Sequence, residues 1–235
     1  MRSRSTALHV LLVAKAPVAG LAKTRLAGDL GDRAAADIAA AALLDTITVV
    51  DEITPPGRRL VSLAGQLDRA ERSSELVARL ADWQQVGQEG ETFAQRLAHA
   101  HHVAARLWGD KSLVVQIGMD TPHVREHDLT VLAAAAIEGG PSGCALGPAL
   151  DGGWWGLATM RAGYAAVLSG VPMSRPDTGR LTAHALRAAG ANLRGAHELR
   201  DVDTLDDAMA VAEEFPELEF SRTFRAAYDG EVLPR

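Results

Sequence analysis

Short apolar runs alternate with longer amphipathic stretches along most of this 235-residue chain. The runs 8–13 and 112–117 are mostly apolar, as buried strands are, whereas the longer stretches repeat apolar residues every three or four positions, as helices do. The pattern predicts strands at 8–13, 59–64, 112–117, 144–146, 154–159 and 192–199. It predicts helices at 31–50, 67–80, 92–108, 128–138, 161–168, 179–189 and 204–214. Strands separated by helices indicate βαβ units, so we expect an α/β protein with a mainly parallel sheet.

The predicted helix 92–108 carries a clear amphipathic face and three histidines. The residues expected on its buried face are Phe93, Leu97, Ala100, Ala104 and Leu107. His99 and His102 lie three positions apart and would share another face, but no third metal ligand stands nearby in the sequence. We therefore expect His99, His101 and His102 to lie on a solvated face.

Composition predicts one domain over residues 1–235. The chain is 47% hydrophobic, enough for a large core, and no linker-like stretch divides it. Its formal net charge of −6 argues against nucleic acid as a general partner. The single cysteine, Cys144, excludes an internal disulfide. The apolar start at 8–14 is too short for a secretory signal, and no segment approaches the ~18 apolar residues of a membrane span, so we expect a cytoplasmic protein.

A positively charged segment at 14–26, Ala-Lys-Ala-Pro-Val-Ala-Gly-Leu-Ala-Lys-Thr-Arg-Leu, follows the first predicted strand. Residues 1–28 contain five Lys or Arg and no Asp or Glu, although the whole chain is acidic. Positive charge concentrated at the exit of a strand suits an anion such as a phosphate group. The segment matches neither the P-loop nor the Gly-x-Gly-x-x-Gly pattern. The alternative is an ordinary surface loop with solvated cations.

Two acidic motifs also follow predicted strands. Asp120 stands in Gly-Met-Asp-Thr-Pro, directly after strand 112–117, and Asp201 and Asp203 precede the last predicted helix. Mg²⁺ and Mn²⁺ bind through one or two carboxylates together with substrate phosphates, so a later acid that approaches Asp120 would complete a metal site. Alternatively, these acids cap a turn and a helix. Ligands gather at the carboxyl ends of parallel strands, so we expect the Asp120 loop and the cationic loop at one sheet edge.

A third motif combines glycines with paired aromatic rings in Asp151-Gly152-Gly153-Trp154-Trp155. Glycines let the backbone approach a ligand closely, and indole rings can form a platform for a sugar or a base. A tight hairpin with Trp in the core would have a similar sequence. Neighbouring residues on a strand point to opposite faces, so one tryptophan is expected in the core and the other at a pocket.

Together these motifs resemble a bacterial family of glycosyltransferase-A-like proteins, also called radical-SAM/selenodomain-associated transferases. The family pattern runs Lys-x-Pro-x-x-Gly-x-x-Lys-Thr-Arg-Leu, Gly-Ser/Thr-Asp-x-Pro, Leu-Gly-Pro-x-x-Asp-Gly-Gly-Tyr and Asp-x-Asp-Thr. The matching segments are 15–26, 118–122, 146–154 and 201–204, in the same order and over nearly the whole chain. The resemblance implies the nucleotide-diphospho-sugar transferase fold, a Rossmann-like three-layer α/β/α sandwich with a mainly parallel sheet.

The resemblance also implies roles for individual residues. A nucleotide would bind over the loop after the first strand, through a phosphate-binding set of Lys15, Pro17, Gly20, Lys23, Thr24 and Arg25. Asp120 and Asp203 would hold Mg²⁺ or Mn²⁺, and Asp151 is the candidate catalytic base. The acceptor pocket would include Gly152, Gly153, Trp154 and Trp155.

Three positions depart from the family pattern. Met119 stands where a small hydroxyl residue is usual, and Trp154 stands where Tyr is common. The segment 90–96 departs from Gly-Asp-Leu-Gly-x-Arg, which leaves the role of Arg96 open.

Three functions are compatible with these motifs. The leading hypothesis is a metal-dependent glycosyltransferase that moves a sugar from a nucleotide-diphospho-sugar to a small-molecule acceptor. The alternative is a nucleotidyltransferase that uses a nucleoside triphosphate and a phosphorylated small molecule, because the segment 23–26 resembles the Lys-Ser/Thr-Arg-Leu of phospholactate guanylyltransferases. A catalytically silent nucleotide-binding module is the third. One fold hosts several chemistries, so family resemblance alone does not choose among them.

Overall fold

Seven strands form one mixed sheet in the computed structural model, which describes residues 7–232. The strands are β1 (Leu8–Lys15), β2 (Arg59–Ala64), β3 (Gln84–Gly87), β4 (Leu113–Gly118), β5 (Gly143–Pro148), β6 (Trp154–Thr159) and β7 (Asn192–Gly195). Their order across the sheet is β3-β2-β1-β4-β6-β5-β7. One domain was predicted over residues 1–235, and residues 1–6 and 233–235 of that range lie outside the described residues.

The sheet is parallel except at β6, which runs antiparallel to both β4 and β5. At the centre of the sheet, Leu12 of β1 pairs in register with Val61 of β2 and Ile117 of β4. Because β6 is reversed, its first residue, Trp154, lies opposite Pro148 at the end of β5. The ends of β1, β4 and β5 and the start of β6 therefore share one edge, as predicted for the cationic and Asp120 loops.

Eight α-helices surround the sheet within the described residues. They are α1 (Thr24–Leu30), α2 (Asp32–Ile53), α3 (Ser73–Arg79), α4 (Phe93–Trp108), α5 (Glu126–Glu138), α6 (Thr178–Ala188), α7 (Leu205–Glu214) and α8 (Glu219–Val232), with short 3-10 segments at 67–69, 140–142 and 162–170. None of the helices within residues 7–232 is long and apolar enough to cross a membrane.

Two apolar cores, one on each face of the sheet, make the fold a three-layer sandwich. Alternate residues of β1 point to opposite faces, so Val10 and Leu12 join α2, α3 and α5 while Leu11 and Val13 join α4 and α6. Both faces of β1 are buried, which explains its nearly continuous apolar sequence. The predicted three-layer α/β fold is confirmed.

The structure corrects the predicted burial of two residues of α4. Leu97, Ala100 and Ala104 are buried as expected, but Phe93 and Leu107 are 47% and 45% exposed, because they lie at the two ends of the helix beyond the core.

The predicted helix 67–80 is interrupted, since Arg72 adopts a left-handed conformation with φ of 54°. The Arg72 guanidinium donates to Asp37 and Glu219 and thereby joins α2 and α8.

Three elements are absent from the sequence prediction. The edge strand β3, Gln-Gln-Val-Gly, is short and mostly polar, and α1 is only seven residues long. The helix α8 had a usable signal, because Phe220, Phe224 and Tyr228 recur every four positions. These rings pack with α1, α2 and α7 into a third apolar cluster outside the sandwich.

Removing the Phe220 ring should test whether this third cluster contributes to global stability. Phe220 is 1% exposed, so Phe220→Ala leaves a cavity and should lower the free energy of unfolding by about 3–5 kcal/mol. Urea unfolding followed by circular dichroism measures the change. The control Val77→Ala, at a site 52% exposed on α3, should change the same free energy by no more than about 0.5 kcal/mol. Equal losses of unfolding free energy in Phe220→Ala and Val77→Ala would contradict a contribution of the third cluster to global stability.

Candidate functional site

A cleft of about 730 Å³ opens at the sheet edge where β1 and β4 end. Most of the residues singled out by the sequence line it: Lys15, Lys23, Thr24, Arg25, Asp120, Asp151, Gly153, Trp154, Trp155 and Asp203. Segments almost 190 positions apart in the sequence therefore meet in one cavity, as the end-of-strand placement predicted.

Three predicted site residues do not line the cleft: Pro17, Gly20 and Gly152. The carbonyl of Pro17 accepts a hydrogen bond from the Glu71 amide, and Gly20 adopts a φ of 75°. Gly152 has a φ of 87°, and a Cβ there would lie 2.0 Å from the Pro176 carbonyl oxygen. Gly20 and Gly152 shape the loops around the cleft, because their positive φ values would strain other residues.

Lys23 lies between the two predicted metal ligands. Its Nζ contacts Asp120 Oδ1, lies 3.4 Å from Asp203 Oδ1 and donates to the Val202 carbonyl oxygen, and its side chain is only 7% exposed. Burial by itself lowers the pKa of Lys23, but the two carboxylates raise it above its usual value, so the ammonium stays charged. Lys23 was predicted to contact a phosphate group. In the structure its ammonium contacts the Asp120 and Asp203 carboxylates.

The more accessible cations of the cationic loop are Lys15 and Arg25. Lys15 Nζ donates to the Leu21 carbonyl oxygen at 2.6 Å, and no salt bridge to it exists within residues 7–232. The Arg25 side chain is 73% exposed, with Nη1 3.4 Å from Asp203 Oδ2. An exposed guanidinium and an ammonium on one wall can bind phosphate oxygens, the first as a planar fork and the second as a point charge.

Asp201 joins the same group of charges, and Thr121 holds it. The Thr121 hydroxyl donates to Asp201 Oδ1 at 2.5 Å, and the Val202 amide donates to the Asp120 carbonyl oxygen at 2.8 Å. Burial raises the pKa of Asp201 to about 6, with further contributions from the charges of Asp120 and Asp151, against the opposing effects of Thr121 and Lys23. The sequence left the role of Asp201 open and did not indicate Thr121.

The acidic side chains suit a metal ion shared with a phosphate ligand rather than a complete protein cage. Within residues 7–232, no three His, Cys, Asp or Glu side chains are arranged to hold a metal ion. The Asp120 and Asp203 side chains are 50% and 45% exposed; each directs Oδ1 to Lys23, and Oδ2 of Asp203 lies 3.4 Å from Arg25 Nη1. Mg²⁺ is usually held by one or two carboxylates together with substrate oxygens, so Asp120 and Asp203 are the residues that would supply the protein ligands of such an ion.

The Gly-rich loop presents Asp151, and the two tryptophans that follow it on β6 differ in burial because neighbouring strand residues point to opposite faces. The Gly153 amide donates to Asp151 Oδ1 at 2.7 Å, which orients the carboxylate. Trp155 is 2% exposed and donates through Nε1 to the His197 carbonyl oxygen, with Gly147 directly under its ring. Trp154 is only partly buried. The expectation of one core tryptophan and one at the pocket is confirmed, although an edge of Trp155 also borders the cleft.

Met119 fills the position where a small hydroxyl residue was expected. It is 5% exposed, and its Sδ accepts a hydrogen bond from the Lys15 amide at 3.2 Å. The thioether therefore joins the ends of β1 and β4 beneath the cleft, while the hydroxyl beside the carboxylates comes from Thr121.

The floor of the cleft contains a polar pair that the sequence did not indicate. Gln116 of β4 is 2% exposed and lines the cleft, and its Oε1 lies 2.8 Å from His101 Nε2. The expectation that all three histidines face solvent is wrong for His101, which is fully buried because α4 packs that face on the sheet. Burial lowers the pKa of His101 to about 4, partly offset by the bond to Gln116, so the imidazole is neutral near pH 7.

Residues 46–175 match the profile of a family described as an uncharacterised protein conserved in bacteria, DUF2064. The chain belongs to this family. The match covers the strands β2 to β6, and hence the Asp120 and Asp151 loops, of this DUF2064 protein. A comparison with curated proteins finds no match.

Solved structures similar to this DUF2064 protein share its fold. One, from Desulfovibrio desulfuricans G20 and provisionally described as a nucleotide-diphospho-sugar transferase, aligns with a TM-score of 0.79 at 20% identity over 98% of this chain and 100% of that one. CMP:2-keto-3-deoxy-manno-octonic acid synthetase in complex with CTP aligns with a TM-score of 0.54 at 16% identity, over 90% and 100% of the two chains. A 4-diphosphocytidyl-2C-methyl-D-erythritol synthase aligns with a TM-score of 0.54 at 12% identity, over 89% and 98%. The predicted nucleotide-diphospho-sugar transferase fold is confirmed.

The buried imidazole of His101 should make stability depend on pH between about 6.5 and 4. The unfolded chain binds a proton at the ordinary pKa of 6.5, while the folded chain resists it down to about 4. The stabilising contribution of neutral His101 is therefore complete above the unfolded pKa and is lost as the pH falls through the folded pKa. His101→Gln should be less stable than the native protein near pH 7, and this deficit should shrink near pH 4.5.

Urea unfolding at both pH values measures the effect. His123, whose pKa burial also lowers to about 4, is present in both proteins and cancels in the difference. The control His184→Gln, at an exposed position on α6, should show no such change. A deficit of His101→Gln that is the same at both pH values would contradict a buried neutral imidazole.

Proposed function

We propose that the protein is a glycosyltransferase that takes a nucleotide-diphospho-sugar as donor and transfers the sugar to a small-molecule acceptor. The observation that carries this proposal is the meeting of Lys15, Arg25, Asp120 and Asp203 in one cleft at the strand ends. The likeness to the Desulfovibrio protein described as a nucleotide-diphospho-sugar transferase supports it. Membership of the radical-SAM-associated group and a cytoplasmic location remain predictions of the sequence.

The cationic wall of the cleft would bind the donor diphosphate. Arg25 and Lys15 supply exposed positive charge: within the described residues Lys15 forms no salt bridge, and Arg25 has one long contact of 3.4 Å with Asp203. As the bond between sugar and diphosphate breaks, negative charge grows on the leaving oxygens. Cations already in place stabilise that charge without reorganising, which is the main way such sites lower a barrier.

Asp120 and Asp203 would hold a divalent cation together with the diphosphate. A bound Mg²⁺ or Mn²⁺ would add positive charge next to the leaving group. Lys23 positions the two carboxylates, because its ammonium contacts both and it is itself anchored by the Val202 carbonyl oxygen.

Asp151 is the proposed base that takes the proton from an acceptor hydroxyl. It lies on the loop between β5 and β6, and its Oδ1 is held by the Gly153 amide. The second carboxylate oxygen can accept a proton from a bound hydroxyl. Gly153 and Trp154 beside it would form part of the acceptor pocket.

Nucleotidyl transfer from a nucleoside triphosphate is the second candidate. It is supported by the similar fold of the synthetase whose structure contains CTP. In this reaction the same cations would stabilise the departing pyrophosphate, so the charges of the cleft suit both candidates. The two are distinguished by whether the protein binds a nucleotide-sugar or a nucleoside triphosphate more tightly.

A ligand screen separates these functions. Nucleotide-sugars and nucleoside triphosphates, each with Mn²⁺, are compared for their effect on the melting temperature and then for turnover. Ligand at a hundredfold excess over its Kd stabilises the folded chain by about 2.7 kcal/mol, which is easily measured. We expect the larger shift with a nucleotide-diphospho-sugar. A larger shift with a triphosphate and release of pyrophosphate would favour nucleotidyl transfer, and binding without turnover over a broad acceptor panel would favour a silent module.

Replacing Asp120 tests the proposed metal site directly. Asp120→Asn keeps the shape of the side chain but removes a negative charge, so Mn²⁺-dependent binding of the donor should be lost in calorimetry. The control Asp206→Asn changes an exposed acid on α7 that does not line the cleft and should bind the donor normally. Donor binding that needs Mn²⁺ and survives in Asp120→Asn would exclude Asp120 as a ligand.

A further inference from the structure

The wall of the cleft on the α4 side has its own polar and aromatic groups. It is built from the start of α4, the floor of β4, the first residue of β6 and the loop before α6, and its members include Phe93, Arg96, Gln116, Trp154 and Met173. The family resemblance left Arg96 without a role, and the proposed donor site does not use this wall.

Arg96 is the uncompensated charge on this wall. Its Nε donates to the Gly90 carbonyl oxygen at 3.1 Å, and it forms no salt bridge within residues 7–232. By contrast, the neighbouring Arg175 is paired with Asp177 at 3.0 Å. A guanidinium without a carboxylate in a cleft is well suited to bind an anion through its remaining N–H groups.

The backbone at Gly90 holds Arg96 in place. Gly90 has a φ of 132°, and a Cβ there would lie 2.8 Å from the Gln95 Cβ. This close approach, possible only for glycine, brings the Gly90 carbonyl to the first turn of α4, where Thr92 and Gln95 form a capping box. The guanidinium is therefore held before any ligand arrives, which reduces the entropy lost on binding.

Gln116 provides an independent indication of a ligand. It is 2% exposed, and its Oε1 is engaged by His101, but its Nε2 donates no hydrogen bond within the described chain. An amide N–H that reaches the cleft without a protein acceptor is available to donate to water or to a bound molecule.

The remaining surface of this wall is apolar. Phe93 is 47% exposed although it lies in the cleft, and Trp154 and Met173 are only partly buried against the α4 core. An exposed ring beside a partly buried indole favours a ligand with a planar apolar body.

From these groups we infer that this wall is a subsite for an anionic, ring-bearing molecule, with Arg96 and Gln116 binding its carboxylate or phosphate and Phe93 and Trp154 contacting its ring. Its assignment as the acceptor subsite rests on the proposed function; the anion binding itself does not. The acceptor would then be an aromatic or otherwise planar acid that also carries a hydroxyl for Asp151.

Binding of small probes to the full chain without nucleotide tests the subsite separately from donor binding. Calorimetry compares benzoate and phenyl phosphate with benzamide, the neutral counterpart of benzoate. At least one anion should bind about tenfold more tightly than benzamide, because a charge-assisted bond to Arg96 is lost with the neutral probe. The preferred anion identifies the acidic group as carboxylate or phosphate.

Variants assign the preference to the named residues. Arg96→Gln should remove the tenfold preference, and Arg96→Lys should keep part of it. Arg106→Gln changes an exposed arginine of the same helix outside the cleft and should leave it unchanged. Phe93→Ala, at an exposed position, should weaken anion and amide alike. The inference is overturned if no probe binds at millimolar concentration, if benzamide binds as tightly as both anions, or if Arg96→Gln retains the preference. Loss of donor binding with this preference intact would refute only the proposed glycosyl transfer.

Discussion

The ammonium of Lys23 is the contact on which the candidate site depends. Lys23 reaches Asp120 after β4, and Asp203 and the Val202 carbonyl before α7, so one side chain joins three segments far apart in the sequence. Its backbone is left-handed, with a φ of 46°, at the residue that directly precedes α1. A buried ammonium is stable only when its charge is compensated, and the two carboxylates also need a cation, so the three groups require one another.

Packing outside the sandwich supports this contact. Val202 is fully buried in the third apolar cluster, together with Leu26 of α1 and Phe220 of α8. Asp201 and Asp203 flank Val202, so the burial of that one side chain directs both acids towards the cleft. The helix α8 does not line the cleft, but it contributes to the position of the acids because its apolar residues pack with those of α1 and α7.

The Asp120 and Asp203 carboxylates contact Lys23, and the other cations that line the cleft come from two different parts of the fold. Lys15 and Arg25 belong to the end of β1 and the start of α1, whereas Arg96 belongs to α4. This arrangement suits the transfer reaction proposed above, which requires two substrates. A phosphate-rich donor and a smaller acidic acceptor would then each meet a cation.

The sequence by itself determined the two-sided burial of β1, the alternation of strands and helices, and the placement of the Lys15, Asp120 and Asp151 motifs at strand ends, because these follow from local periodicity and from sheet geometry. It did not determine the partners of Lys23. A cation in a phosphate-binding pattern and one in a carboxylate pair have the same local sequence, and only the packing of α1 against Val202 decides between them. His101 and Gln116 were likewise decided by tertiary structure, since the burial of one helix face depends on which helix packs against which side of the sheet.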